Sequence, residues 1–196
     1  MISTLAQIIF PGAVLPIAQQ PNQERILVVK ENDPKSAIYK LKIKDVPDES
    51  FAFTLDHKTN KKDKKRYCFT QISAYLHPEN GEGINKGCDA VLITYYENHW
   101  YALILDLKSD QPDIPSTEKQ LRNSELFVKY LCTLIENFYR EVTLHELTYK
   151  HVYITTRMKN NATYHPNNLP PSCKGVSVKV DDQRATTVHL GKLLGV

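Results

Sequence analysis

The 196-residue chain has no Cys-x-x-Cys pair, and its four cysteines, Cys68, Cys88, Cys132 and Cys173, are scattered. That spacing argues against a zinc site and predicts a reduced, cytoplasmic protein. The seven histidines form no H-x-x-x-H or related pattern, so a histidine metal site has no support. No apolar run approaches the roughly twenty residues that span a bilayer, which excludes a membrane helix. The first 23 residues carry no charged side chain, yet they have no basic n-region and are broken by Gln7, Pro11, Gly12, Pro16, Gln19 and Gln20. They read as extended chain packed on the domain or on a second subunit, not as a signal peptide. There is no internal repeat, no P-loop, no G-x-G-x-x-G and no G-x-S-x-G. An excess of one charge is missing too: 25 Lys and Arg against 22 Asp and Glu leave a formal +3. The total announces no polyanion partner, and only the distribution of charge is informative. Length alone favours one domain.

What the chain does have is a strongly apolar stretch from Cys88 to Ser109, CDAVLITYYENHWYALILDLKS, with an aspartate at its start and Asp-x-Lys at its end. It reads as two buried strands joined by a tight turn. A two-residue loop at Asn98 and His99 would set Glu97 opposite Trp100, Val91 opposite Asp106 and Asp89 opposite Lys108. Directly opposed residues share a face, and alternation puts Asp106 and Lys108 on one side, so Asp89, Asp106 and Lys108 converge. The two carboxylates would be diagonal neighbours with Cα atoms about 7–8 Å apart. Two carboxylates at the buried end of a sheet repel unless a cation lies between them, and hard oxygen ligands suit Mg2+ or Mn2+. The bland alternative is a turn aspartate beside a solvated ion pair.

Asp89, a hairpin, and then Asp106-Leu107-Lys108 ending an apolar strand resemble the PD-(D/E)xK nuclease superfamily, with Asp106 in place of the commoner Glu and Cys88 where a proline often stands. The resemblance implies an α/β fold: a restriction-endonuclease-like αβββαβ core, with a mixed central sheet flanked by helices and an N-terminal β-hairpin extension. It implies that Asp89, Asp106 and the Leu107 carbonyl bind Mg2+, for which Mn2+ substitutes, and that Lys108 orients or activates the attacking water. Gln120, early in the helix after the hairpin, is the candidate for a polar residue pointing back into the site. A helix before the first catalytic strand often offers a further acid in this family. Gln71 fills that position here, and the nearest acids, Glu79 and Glu82, fall in a loop.

Along the chain, Glu24 to Lys30 and Ala37 to Lys44 read as two strands around a turn at residues 32–35. The second alternates apolar and basic residues, leaving Lys40, Lys42 and Lys44 on a wet face. Those lysines either meet phosphate or guard an edge strand against aggregation. Phe51 to Asp56 is a short strand leading into the strongest charge run, from which Lys61, Lys62, Lys64, Lys65 and Arg66 are candidate nucleic-acid contacts. Tyr67 to Leu76 has helical spacing. Asn85, Lys86, Lys119 and Arg122 flank the site and are further candidate phosphate contacts. Ser116 or Thr117 is expected to cap a helix reaching about Tyr139. His151 to Arg157 should return to the sheet by a crossover. Val176 to Val180 and Thr186 to Leu190 read as a terminal hairpin.

These expectations divide the chain into an N-terminal β extension and basic loop (1–66), a catalytic core (67–157) and a C-terminal loop and hairpin (158–196). By resemblance the protein is a metal-dependent endonuclease acting on DNA in a prokaryotic restriction or defence setting. Cutting both strands of a duplex with one site per chain favours a homodimer, and an activating or restraining partner protein is compatible with such a setting. A catalytically silent nucleic-acid-binding module of the same fold, and an RNase, are the alternatives.

Overall fold

Two mixed sheets and three α-helices form the described part of the computed structural model, which covers residues 1–31, 33, 35–56, 72–73, 76, 82–108, 112–140, 146–156 and 173–196. The chain begins with α1 (Ile2–Ile8), a single 3-10 turn (Pro11–Ala13) and β1 (Ile17–Gln19). The expected extended N-terminus is therefore partly helical. Leu5 and Ile9 are buried, so this segment packs on its own domain, and pockets for such side chains explain a helix with no charged residue and no side-chain cap.

The alternating stretches at β2 (Arg25–Lys30) and β3 (Lys40–Lys44) pair antiparallel as expected. With β1 and β9 (Ala185–His189) they form a four-stranded sheet in the order β1-β2-β3-β9. The second sheet runs β4 (Ser50–Phe53), β5 (Ala90–Tyr96), β6 (His99–Leu107), β7 (Thr148–Thr155), β8 (Cys173–Ser177). β4, β5 and β6 form an antiparallel meander, and β7 and β8 extend it in parallel. Between β6 and β7 runs α2 (Ile114–Tyr139), the long crossover that a parallel pair requires. It starts slightly earlier than its Ser116 or Thr117 cap would place it. Pro115 occupies its first turn, and the Thr117 hydroxyl donates to the Asp113 carbonyl instead of capping.

The terminal hairpin is not formed. β8 pairs with β7 and β9 with β3, both in parallel, so the two segments end in different sheets. Alternating patterns fit either arrangement, and each strand buries its apolar positions better against an existing sheet. After β9, α3 (Leu190–Leu194) closes over the core.

One face of the five-stranded sheet, with Leu92, Leu103 and Leu105, packs on Leu27, Val29, Leu41 and Ile43 of the other sheet. Its opposite face, with Val91, Ile93, Ala102 and Ile104, packs under α1 and the Leu121, Val128 and Ile135 stripe of α2. Both faces are covered, which is why β5 and β6 read as nearly continuous apolar runs. The expected helix over Tyr67 to Leu76 falls largely outside the described residues. No helix among those described is long and apolar enough to cross a membrane.

Candidate active site

The β5–β6 turn lies at Glu97 and Asn98, with φ of 47° and 65°, one residue earlier than the Asn98-His99 loop expected. Two left-handed residues make the type I′ geometry that suits a twisted hairpin. Tyr95 is therefore opposite Trp100 and Ala90 opposite Leu105. One further step along this register brings Asp89 opposite Asp106, not Lys108. Moving the turn by one residue shifts each pairing by two positions, so every side chain keeps its face. Convergence survives, and the carboxylates become direct rather than diagonal neighbours.

Asp106 is 1 % exposed, on the α2 side of the sheet at the carboxyl end of β6. Its Oδ2 lies 2.5 Å from Lys108 Nζ, the one cation paired with it among the described residues. The Leu107 N–H donates to Asp89 Oδ2 at 2.6 Å, which ties the loop before β5 to the end of β6. Gln120 reaches back from α2 as expected. Its Nε2 donates to the Gly87 carbonyl at 2.5 Å and to Asp106 Oδ1 at 3.3 Å, and its Oε1 accepts from Lys108 Nζ at 3.0 Å. The amide has one consistent orientation, because lysine only donates and carbonyls and carboxylates only accept.

Burial pushes the Asp89 carboxyl well above the ordinary carboxylate range, and the charge of Asp106 pushes it further, against the Leu107 hydrogen bond. Burial raises Asp106 as well, despite the attraction of Lys108. Glu31, at the end of β2 in the other sheet, adds negative potential at both. The site is short of positive charge, and one lysine does not offset the buried Asp106 and the half-buried Asp89. A hard divalent cation fits this oxygen-rich donor set, with waters completing its shell. Among the described residues no group of three His, Cys, Asp or Glu side chains forms a metal cage, and a cation held here would draw on Asp89, Asp106 and backbone oxygen.

Several further contacts support the site. The Cys88 amide donates to Ser124 Oγ at 2.9 Å, and that hydroxyl donates to the Gln120 carbonyl at 2.9 Å, fastening the start of β5 to α2. A Cβ on Gly87 would lie 2.5 Å from Leu55 Cβ and 2.8 Å from the Leu55 carbonyl oxygen, so only glycine fits there. Burial holds the Cys88 thiol up at about 12, which makes it an inert packing group.

Other expected contacts are occupied differently. Asn85 is buried, accepts from the Ser73 amide and donates to the Ser73 and Leu76 carbonyls, so it braces a loop and has no donor left for phosphate. Glu82 is exposed and pairs with Lys119 at 2.6 Å, away from the carboxylate pair. Arg122 lies 3.3 Å from the buried Glu125, which also meets Lys129 at 2.5 Å and His151 at 3.0 Å. Lys86 is exposed. Lys61, Lys62, Lys64, Lys65, Arg66, Gln71 and Glu79 lie outside the described residues.

Comparison with protein-family models, with curated proteins and with solved structures finds no match for this chain.

Proposed function

We propose that the protein is a Mg2+-dependent nuclease that hydrolyses DNA phosphodiester bonds at the Asp89, Asp106, Lys108 and Gln120 cluster. The observation that carries this reading is the approach of the half-buried Asp89 and the buried Asp106 at the ends of β5 and β6, both with raised proton affinity and with only Lys108 as a nearby cation. The order of the meander, α2 and the parallel β7 supports the resemblance to the restriction-endonuclease-like core, with the site at the carboxyl end of parallel strands.

In this reading Asp89 and Asp106, with the Leu107 carbonyl, hold the cation. A bound divalent cation supplies Lewis-acid polarisation of the phosphoryl oxygen and acidifies a water for in-line attack. Lys108 stands beside Asp106, where its ammonium positions that water and counters charge developing on the phosphorane oxygens. Gln120 fixes the Lys108 ammonium and the Asp106 carboxylate in one arrangement, so their geometry is set before substrate arrives.

Gln71, standing where the family often has a further acid, favours one other reading, a nucleic-acid-binding module of the same architecture without hydrolysis. Incubating purified protein with DNA and, separately, RNA in Mg2+, Mn2+ and EDTA separates the readings. Metal-dependent cleavage of DNA supports the nuclease. Retention of DNA without cleavage, together with no calorimetric Mg2+ or Mn2+ binding, supports the silent module, and cleavage of RNA alone reassigns the substrate.

A further inference from the structure

A pocket of about 430 Å3 opens where the end of β2 meets the loop before β5, and its charged wall residues are Lys30, Lys40, Asp56 and Asp89. The volume is in the range that accepts a small ligand or one unit of a larger one. Lys30 and Lys40 are direct cross-strand partners in the β2–β3 register, so their side chains share a face and their charges repel. Neither ammonium has a hydrogen-bond or ion-pair partner among the described residues. Two register steps further along β3, the treatment differs: Lys44 is held by Glu24 at 3.1 Å. Lys44 has an internal counter-ion on this face, whereas Lys30 and Lys40 share the pocket with Asp56 without pairing with it.

Asp89 does not fill that role. Its Oδ2 is taken by the Leu107 amide, and no ion pair joins it to either lysine. With a divalent cation on the carboxylate pair, Lys30, Lys40 and Lys108 would stand against Asp56 and Glu31, leaving one positive charge at this junction for an anion to match. The pocket borders the proposed hydrolytic centre, so an anion held there belongs to the same strand as the reacting phosphate.

We infer that the Lys30 and Lys40 pair binds a phosphate of the nucleic-acid strand next to the one being hydrolysed, which makes the four-stranded sheet a substrate platform as well as a core layer. This rests on the nuclease reading for what reacts at Asp89 and Asp106, but the binding step is separable from hydrolysis. Lys30 is exposed and Lys40 half-buried, so replacing both with glutamine leaves the core untouched.

The test is binding of a short fluorescein-labelled DNA duplex in EDTA across a salt series, for wild type, Lys30→Gln/Lys40→Gln and Lys42→Gln. Lys42 shares the face but does not line the pocket. Cleavage in Mg2+ and thermal melting are followed in parallel. The expected result is at least about a tenfold loss of affinity for the double variant. Its slope of log K against log salt should fall by about one to two units, because fewer counterions are displaced. Lys42→Gln should behave like wild type, and the double variant should melt no lower than wild type, since a repulsive pair has gone. Equal affinity and slope in the double variant and wild type would overturn the pocket assignment and, if wild type cleaves, leave the nuclease standing. An equal loss in Lys42→Gln would overturn it in favour of diffuse attraction by the whole face. Loss of binding in the double variant with no cleavage by wild type would support the pocket and refute hydrolysis. Wild type that binds no DNA would refute both.

Discussion

Replacing Asp106 with asparagine should make the metal-free protein more stable while removing its proposed function. Directly opposed residues on antiparallel strands have Cβ atoms about 4.5–5.5 Å apart. Two unit charges about 5 Å apart repel by about 3 kcal/mol at an effective dielectric constant of about 20. Against that relief stands the Lys108 contact at 2.5 Å; the lysine side chain is 23 % exposed, so water screens part of the attraction, and its loss costs about 1–2 kcal/mol. The net is a gain of about 1–2 kcal/mol, or about 3–6 °C in melting temperature for a chain of this size.

The sign follows from the proton affinities. Both carboxyls are raised in the folded state, so between the ordinary aspartate value and the raised values the native protein binds more protons than the unfolded chain. Stability contributed by the pair therefore falls as pH rises through that window. The advantage of Asp106→Asn is greatest above the window and disappears below about pH 3.9, where aspartate is protonated in both states. Calorimetric melts in EDTA from acid to mildly alkaline pH would read it. A variant less stable than wild type at neutral pH, or an advantage that does not change with pH, would refute the reasoning. Adding Mg2+ should raise the wild-type melting temperature and leave the variant unmoved.

Other consequences are open to measurement. Gln120→Leu removes the acceptor for Lys108 and the donor to Asp106; kcat for DNA hydrolysis should fall by about tenfold or more with metal affinity nearly unchanged, and an unaltered kcat would remove Gln120 from the site. Gly87→Ala drives a methyl into the Leu55 backbone and should cost about 1–3 kcal/mol in denaturant unfolding, with activity lost in step, because the Gly87 carbonyl holds Gln120. Glu31→Gln takes one negative charge from beside the carboxylates and should weaken Mg2+ binding several-fold by calorimetry, an effect on the order of 1 kcal/mol. Metal affinity in wild type should rise with pH through the mildly acidic range, since protons and cation compete for the same raised carboxylates.

The convergence of Asp89, Asp106 and Lys108 was legible in the sequence because it depends on strand parity, and parity survives a turn misplaced by one residue. The turn itself was misjudged because Glu97 gives no sign that it will take a positive φ, a conformation unusual for a non-glycine residue. β2, β3 and α2 were readable from periodicity, which is local. The partners of β8 and β9 were not, since an alternating strand is satisfied by any sheet that offers a complementary face. Gly87 is readable as a loop glycine that could admit a close backbone, which is what Leu55 is, whereas Ser124 matters through its contact with Cys88 from a helix running back over the sheet, and nothing in its own neighbourhood of the sequence marks it. Glu31 was missed for the same reason, because it reaches the carboxylates from the other sheet. α1 escaped notice because its seven residues carry neither charge nor cap, and only Leu5 and Ile9 finding a core make it helical.

Nicking of supercoiled plasmid DNA by wild type and by Asp106→Asn, each in Mg2+, Mn2+ and EDTA, tests the central claim most directly. Metal-dependent nicking by wild type that is lost in a folded Asp106→Asn variant is the predicted result, and equal nicking by the two proteins, or activity that persists in EDTA, would contradict a hydrolytic centre at Asp89 and Asp106.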